Sequence, residues 1–227
     1  DLIIERGQIF TNGVGLRSDG IADFAALGVL AMARHFDRVI RAHDRRDWIR
    51  APEGSRELRG SRALILGYGS IGRAIGDRLR AFGVEVTGVR RSPDPASGVL
   101  GPDEWRARLG EFDWVVLAAP GTSETQHMLG AAEFAAMKQG AGIVNIARGV
   151  LIDQPAMVAA LESGRLGGAV LDATAPEPLP PDDPLWRAPN AIVTSHMAGQ
   201  AQTDSMERAV ERFLKNLDHY LKGEPLE

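Results

Sequence analysis

Three glycines with the spacing of a phosphate-binding turn stand in the first third of this sequence. The turn Gly67-Tyr-Gly-Ser-Ile-Gly72 directly follows the apolar run 63–66 and directly precedes a helical pattern. The first glycine permits a tight turn, the second lets the backbone approach a pyrophosphate, and the third lets helix and strand pack closely. The helix start also offers free N–H groups and positive potential to an anion. This context predicts a dinucleotide site, and a glycine-rich turn needed only for close packing is the alternative. The predicted contacts are Gly67, Tyr68, Gly69, Ser70, Ile71 and Gly72.

Two arginines at the end of the next apolar run bear on which dinucleotide binds. Where an NAD enzyme places an acidic residue for the ribose hydroxyls, this chain has Arg90, Arg91 and Ser92. A carboxylate there would repel a 2′-phosphate, whereas guanidinium groups bind it through charge-assisted hydrogen bonds. We therefore predict NADP in preference to NAD as the cofactor. In the alternative interpretation, the two arginines are solvated surface charges beside a turn.

The elements that would position these residues alternate between strands and helices. Short runs rich in β-branched residues and bounded by Gly, Pro or Asp predict buried strands. These runs cover 63–66, 84–89, 114–118, 142–146, 169–171 and 191–194. Helical patterns cover 70–82, 102–110, 131–138, 153–163 and 201–221. This alternation predicts an α/β fold, a doubly wound parallel sheet with helices on both faces.

The first sixty residues follow a different pattern. Residues 21–41 predict one long helix with apolar positions to bury, and the polar residues 44–60 predict a connection. The chain begins in mid-pattern without an initiator methionine. We expect it to be a fragment, with residues 1–15 the end of a longer segment.

Composition and charge narrow the range of functions. The formal net charge of −4 argues against a nucleic-acid partner, which normally requires a basic surface. The longest apolar stretch, 24–33, is too short to span a bilayer. There is no cysteine, which excludes disulfides, thiolate nucleophiles and cysteine-bound metals. The scattered histidines suggest no metal site, and we expect a cytoplasmic protein.

Three later motifs add to the glycine turn. They are Val144-Asn-Ile-Ala-Arg-Gly149 with Asp153 after it, Leu171-Asp172 with Glu177-Pro178, and Thr194-Ser-His196 followed by Ala198-Gly199. With the turn, they resemble the D-isomer-specific 2-hydroxyacid dehydrogenases, which include glyoxylate/hydroxypyruvate reductases, D-lactate dehydrogenases and phosphoglycerate dehydrogenases. The order and separation of the motifs fit that family over nearly the whole chain.

The resemblance implies that Arg148, Glu177 and His196 form a catalytic set. Arg148 would hold the substrate carboxylate and polarise the 2-oxo group, because its planar guanidinium is permanently charged. His196 would exchange a proton with the carbonyl oxygen, a role that suits imidazole near neutral pH. Glu177 would hydrogen-bond the second imidazole nitrogen, and Asp172 would anchor the nicotinamide carboxamide.

The same resemblance extends to the cofactor, the substrate and the domain organisation. It implies a Rossmann-like NAD(P)-binding domain over 16–200, with 1–15 as a remnant of a substrate-binding domain and 201–227 as a C-terminal helix returning toward that domain. It further implies a homodimer formed through the helix at 21–41, and a small 2-oxo or 2-hydroxy acid such as glyoxylate or hydroxypyruvate as substrate. Further cofactor contacts are expected at Ala119, Pro120, Ala147 and Gly199.

Two departures from the family pattern and one rival function accompany this prediction. Thr174 and Ala175 replace aromatic and acidic residues often found there, and Ser195 replaces a proline before the histidine. The rival is a nucleotide-sensing binding protein or co-repressor, because fold alone does not determine function. Neither a partner-binding groove nor a disordered tail is recognisable in the sequence.

Overall fold

The computed structural model describes residues 5–93, 98–200 and 205–226, without the side chain of Ser205. Its centre is one six-stranded sheet in the order β2-β1-β3-β4-β5-β6, and every neighbouring pair is parallel. The strands are β1 Arg62–Leu66, β2 Glu85–Val89, β3 Trp114–Leu117, β4 Ala141–Asn145, β5 Leu166–Leu171 and β6 Ala191–Val193. Side chains of β3 and β4 are buried on both faces, as continuous apolar strands of a parallel sheet require. The predicted doubly wound sheet is confirmed.

Helices cover both faces of this sheet. They are α1 Ser18–Ala33, α2 Phe36–Asp44, α3 Ser70–Ala81, α4 Ala131–Ala136, α5 Gln154–Glu162 and α6 Ser205–Lys222. On one face, α1 and α3 bury apolar residues such as Val29 and Ile75 against the strands. On the other face, α4 and α5 do the same with Phe134 and Met157. Within the described ranges, no helix is both long enough and apolar enough to cross a membrane.

The helix predicted over 21–41 is interrupted, so this prediction was wrong in its middle. His35 adopts a left-handed conformation with φ 45°, and α2 starts at the next residue. The carbonyl of Ala33 accepts the backbone N–H of Arg56 at 2.8 Å, instead of an N–H one turn further along a continuous helix. Because this long-range hydrogen bond occupies the Ala33 carbonyl, that carbonyl is not available to continue the helix, and α1 ends there.

The helix predicted over 102–110 is also different in the structure. A 3₁₀ helix spans Arg106–Glu111 after a series of turns. Gly110 lies inside this segment and weakens any regular helix there. The tight turns nevertheless bury Trp105, Leu109 and Phe112 in the core. The predicted helix at 201–221 begins at Ser205, and its residues 201–204 lie outside the described part.

A charged cluster lies at the amino-terminal edge of the sheet, where β3 begins. Asp113 accepts hydrogen bonds from the Lys138 ammonium at 2.7 Å and the Arg62 backbone N–H at 2.9 Å. The Arg56 guanidinium lies 3.8 Å from the same carboxylate. Burial alone would raise the pKa of Asp113, but these donors and positive charges outweigh burial and lower the pKa. The cluster therefore favours the ionised carboxylate.

Candidate active site

A crevice opens at the carboxyl edge of the sheet between β1 and β3. The chain passes from β1 to β2 on one side, and β3 then pairs with the other side of β1. The loops that follow β1 and β3 therefore diverge, which is where open α/β sheets bind ligands. The loop after β1 is the glycine turn, and the loop after β3 contains Ala118–Pro120. Two cavities meet at this point, and Ala118–Pro120 line both of them.

The glycine turn has the shape that a pyrophosphate requires. Gly67 has φ 101°, and a Cβ there would lie 2.4 Å from the Ala119 nitrogen. A Cβ on Gly72 would lie 2.3 Å from the Gly67 carbonyl oxygen. At Gly69, by contrast, a Cβ would meet nothing within 4 Å. Gly69 is also the N-cap of α3 and no side chain caps that helix, so open space adjoins free helix N–H groups. These residues fit a dinucleotide phosphate group.

The first cavity has a volume of about 730 Å³ and extends from the turn toward the end of β2. Arg90, Arg91 and Ser92 line it together with Tyr68. Within the described residues, neither arginine has an ion-pair partner. Tyr68 is nearly buried, and its hydroxyl accepts a hydrogen bond from Arg80 at 2.7 Å, so it supports the turn as well as lining the cavity. Ser70 and Gly72 line neither cavity.

The second cavity, of about 780 Å³, brings together the three residues predicted to be catalytic. Arg148, Glu177 and His196 all line it, although they lie 48 residues apart in the sequence. The remaining predicted cofactor contacts in its walls are Ile71, Ala119, Pro120, Ala147, Asp172 and Gly199.

A carboxylate supports the imidazole in this second cavity. His196 Nδ1 lies 2.9 Å from Glu177 Oε2. The other oxygen, Glu177 Oε1, accepts the backbone N–H of Thr174 at 3.0 Å. An ionised carboxylate only accepts hydrogen bonds, so Nδ1 carries the proton in this pair. His196 Nε2 makes no hydrogen bond to the part of the chain that the structure describes, so it can exchange a proton with a ligand. Because the backbone of residue 174 makes the bond to Glu177, threonine at this position does not remove it.

Asp172 fixes the segment that carries the imidazole, a role that sequence reasoning missed. Its side chain is 2% exposed. One oxygen accepts the Thr194 hydroxyl at 2.6 Å and the Met197 N–H at 2.8 Å, and the other accepts the Ala198 N–H at 2.8 Å. The Asp172 carbonyl accepts the His196 N–H at 2.8 Å. A carboxylate accepts about four hydrogen bonds, so one position stays available for a ligand donor.

Arg148 is held by its own loop. Its guanidinium donates to the Ala147 carbonyl at 2.6 Å. Its carbonyl accepts from the side chain of Asn145 at 2.9 Å, and Asn145 also accepts the Ala147 N–H at 3.0 Å. Asn145 is fully buried at the end of β4, and it is a second supporting residue that sequence reasoning missed. Arg17, just before α1, also lines this cavity and belongs to no predicted motif. Its position could not have been found from spacing.

No group of three or more acidic or histidine side chains suited to a metal ion occurs within residues 5–93, 98–200 and 205–226. The arrangement at the crevice is that of a binding and proton-transfer site. A guanidinium can hold an anion, and a carboxylate-supported imidazole can exchange a proton next to it.

Comparisons with known proteins agree with this geometry. Residues 26–198 match the family described as D-isomer specific 2-hydroxyacid dehydrogenase, NAD binding domain. A glyoxylate reductase from Korarchaeum cryptofilum is 33% identical over 97% of this chain and 68% of its own length. A glyoxylate/hydroxypyruvate reductase A from Salmonella typhi is 32% identical over all of this chain and 71% of its own.

A crystal structure agrees as well. It is the D-isomer specific 2-hydroxyacid dehydrogenase from Xanthobacter autotrophicus Py2 in complex with NADPH and MES, and it superposes with a TM-score of 0.79. It is 32% identical and covers 92% of this chain and 86% of its own. The chain therefore belongs to the D-isomer specific 2-hydroxyacid dehydrogenases, a family of NAD(P)-dependent oxidoreductases.

Proposed function

We propose that this protein interconverts small 2-oxo and 2-hydroxy acids, such as glyoxylate or hydroxypyruvate and their reduced forms, with NADP(H) as cofactor. The observation that carries the proposal is the presence of Arg148 and the His196–Glu177 pair in one cavity that shares a wall with the dinucleotide crevice. The names of the two relatives, a glyoxylate reductase and a glyoxylate/hydroxypyruvate reductase A, support the substrate class.

The side chains divide the chemistry between them. The nicotinamide, when bound, supplies or accepts the hydride, which is the cofactor's own chemistry. Arg148 binds the substrate carboxylate through its guanidinium and polarises the carbonyl to be reduced. His196 Nε2 gives a proton to the carbonyl oxygen during reduction and takes one back during oxidation. Glu177 keeps the imidazole oriented through its hydrogen bond to Nδ1. The residues that would hold the cofactor are the glycine turn, Arg90–Ser92, Ala119, Pro120, Ala147, Asp172 and Gly199.

Substitution of the histidine tests the enzyme hypothesis. We expect His196→Asn to lower kcat for glyoxylate by about 100-fold or more, because a general acid contributes that much. The matched control is His43→Asn, an exposed histidine on α2 outside both cavities. Steady-state rates with NADPH and a panel of 2-oxo acids measure the effect. Near-normal turnover in His196→Asn would contradict the proposal, and tight NADPH binding with no turnover of any 2-oxo acid would favour the nucleotide sensor.

The NADP preference is a separate proposal with its own test. Arg90 and Arg91 line the first cavity without a carboxylate partner in the described residues, which supports a 2′-phosphate site. We expect the double variant Arg90→Ser/Arg91→Ser to lower the NADPH-to-NADH ratio of kcat/KM by about 100-fold, because it removes charge-assisted hydrogen bonds. Equal or better use of NADH by the wild-type protein would overturn the assignment.

Assembly, location and domain organisation also remain proposals. Phe36, Ile40, Trp48 and Ile49 are exposed on α2 and the connection after it, which supports a homodimer buried on this face. Sedimentation of wild-type and Trp48→Ser protein tests this. Residues 7–11 share a cavity of about 610 Å³ with α6, which supports assigning both to the substrate-binding half. The cytoplasmic location rests on composition, and cell fractionation would test it.

A further inference from the structure

The substrate cavity contains a second guanidinium besides that of Arg148. Arg17 immediately precedes α1 and lines the cavity together with Ile21. Its side chain runs beside the segment that follows His196, since a Cβ built on Gly199 would lie 3.7 Å from Arg17 Cδ. The cavity has a volume of about 780 Å³, which the substrate would share with the nicotinamide half of the cofactor, because predicted cofactor contacts line the same walls.

Neither guanidinium in this cavity has a carboxylate partner among the described residues. The acids nearest to Arg17 along its helix, Asp19 and Asp23, bind Arg78 at 3.0 and 2.5 Å. Arg17 itself makes no side-chain hydrogen bond or ion pair within that part of the chain, and Arg148 donates only to a backbone carbonyl.

The two carboxylates in the cavity walls pair with other groups and not with Arg17 or Arg148. Glu177 bonds His196 and a backbone N–H, and Asp172 accepts three donors from the segment 194–198. The cavity therefore presents two guanidinium groups that make no ion pair within the described residues. A monocarboxylic substrate neutralises only one of them.

We propose that Arg17 binds a second carboxylate of the substrate, so that the preferred substrates are 2-oxo dicarboxylic acids. This inference rests on the proposed function, in which Arg148 holds the carboxylate next to the reacting carbonyl. The guanidinium fork matches a carboxylate through two parallel hydrogen bonds. A carboxylate fits better than a phosphate, because a phosphate carries nearly two charges and Arg17 is the one cation left for it among the described cavity residues. Arg17 takes no part in proton or hydride transfer and acts on specificity.

Substrate pairs of equal length test the proposal in the full-length protein with NADPH. The pairs are oxaloacetate with 2-oxobutyrate, and 2-oxoglutarate with 2-oxopentanoate. We expect wild-type protein to favour the dicarboxylate of each pair in kcat/KM. In Arg17→Gln this preference should fall by about 10- to 100-fold, which corresponds to one lost charge-assisted interaction. Arg17→Lys, which keeps the charge without the fork, should lie between the two.

Arg59→Gln is the matched control. The Arg59 side chain makes no hydrogen bond or ion pair within the described residues, and Arg59 precedes β1 at the opposite edge of the sheet. This variant should keep the wild-type preference. An Arg17→Gln preference within twofold of wild type would overturn the proposal. The proposal would also be overturned if Arg17→Gln raised the KM for NADPH by the same factor with every substrate, because Arg17 would then act on the cofactor.

A binding measurement separates this inference from the proposed function. Calorimetric titration of the NADP⁺-loaded protein with 2-oxoglutarate and with 2-oxopentanoate requires no turnover, because no hydride is available. Tighter binding of 2-oxoglutarate that Arg17→Gln abolishes supports the second carboxylate site, even if catalysis is absent. Equal binding of the two acids overturns it, even if glyoxylate is reduced in a His196-dependent way.

Discussion

One prediction concerns Asp172, the buried carboxylate that accepts hydrogen bonds from the segment 194–198 around His196. Asp172→Asn keeps the shape of the side chain but replaces one acceptor oxygen by an NH₂ donor. If the amide oxygen faces Thr194 and Met197, the Ala198 N–H loses its acceptor. If the amide turns over, the Met197 N–H loses its acceptor instead. In either orientation at least one buried N–H remains without a partner.

The expected loss of stability in Asp172→Asn follows from this one unsatisfied N–H. An unsatisfied buried donor costs about 1–3 kcal/mol, and for a chain of this size each kcal/mol lowers Tm by roughly 2–4 °C. We therefore expect Tm to fall by about 2–12 °C. The freed amide belongs to one of the two residues that directly follow His196, whose φ of 53° is unfavourable and persists only while the surrounding bonds hold it. Because small displacements of a catalytic group are expensive, kcat should fall by about 10- to 100-fold.

Thermal melts, steady-state rates with NADPH and fluorescence titration of the cofactor together test this reasoning. Thr194→Val is the control, because it removes only the hydroxyl bond and should cost about 1 kcal/mol or less. In Asp172→Asn, kcat should fall more than NADPH affinity does. A variant with Tm within 1 °C and kcat within twofold of wild type would refute the positioning role. Weak NADPH binding with an unchanged Tm would show that Asp172 acts through the cofactor alone.

Four further substitutions test other parts of the structure. Gly69→Ala should change the unfolding free energy by less than about 1 kcal/mol yet weaken NADPH binding by about 10-fold, because its Cβ enters open space that the pyrophosphate needs. Gly72→Ala should instead lower the unfolding free energy by about 1–3 kcal/mol, because its Cβ meets a backbone oxygen. Urea melts measure stability and NADPH titrations measure affinity. The turn geometry would be contradicted if Gly69→Ala lost more stability than Gly72→Ala and kept its NADPH affinity. Asp113 has a lowered pKa in the folded state, so its stabilisation is present above the unfolded pKa of about 4 and is lost as the pH falls through the folded pKa. Asp113→Asn should therefore lose about 1–3 kcal/mol at pH 7 and converge on wild type as the pH falls through the folded pKa of Asp113, as urea unfolding at several pH values would measure. Glu177→Gln should lower kcat by about 10-fold with little change in NADPH binding, because the imidazole loses its charged support; an unchanged kcat would remove Glu177 from the mechanism.

Features set by local pattern could be predicted from the sequence. Apolar β-branched runs locate all six strands to within a few residues, because strands buried on both faces need them. The order of the strands was not predicted, and it is the structure that places the glycine turn beside Ala118–Pro120. In a parallel sheet, residues that follow successive strands share one edge, so motifs far apart such as Arg148 and His196 meet in one cavity.

Features set by long-range contacts could not be predicted. The break before His35 depends on a hydrogen bond between Ala33 and Arg56, which are 23 residues apart. The positioning role of Asp172 depends on donors that follow it by 22 to 26 residues. Arg17 stands out only because its neighbouring acids bind Arg78 from another helix. None of these pairings leaves a periodic or spacing signal in the chain.

The common wall formed by Ala118–Pro120 has a consequence for how affinity and reactivity are divided. A two-part ligand that spans both cavities binds its second half as an intramolecular event, at an effective concentration in the millimolar range. In the proposed NADP(H) complex, the half that carries the 2′-phosphate would lie in the first cavity and add binding strength at a distance from the reacting atoms. The nicotinamide half then needs little binding affinity of its own. Its contacts with the protein can instead stabilise the transition state more than the ground state. A nucleotide fragment that fills only the first cavity should accordingly compete with the whole cofactor and leave the second cavity empty.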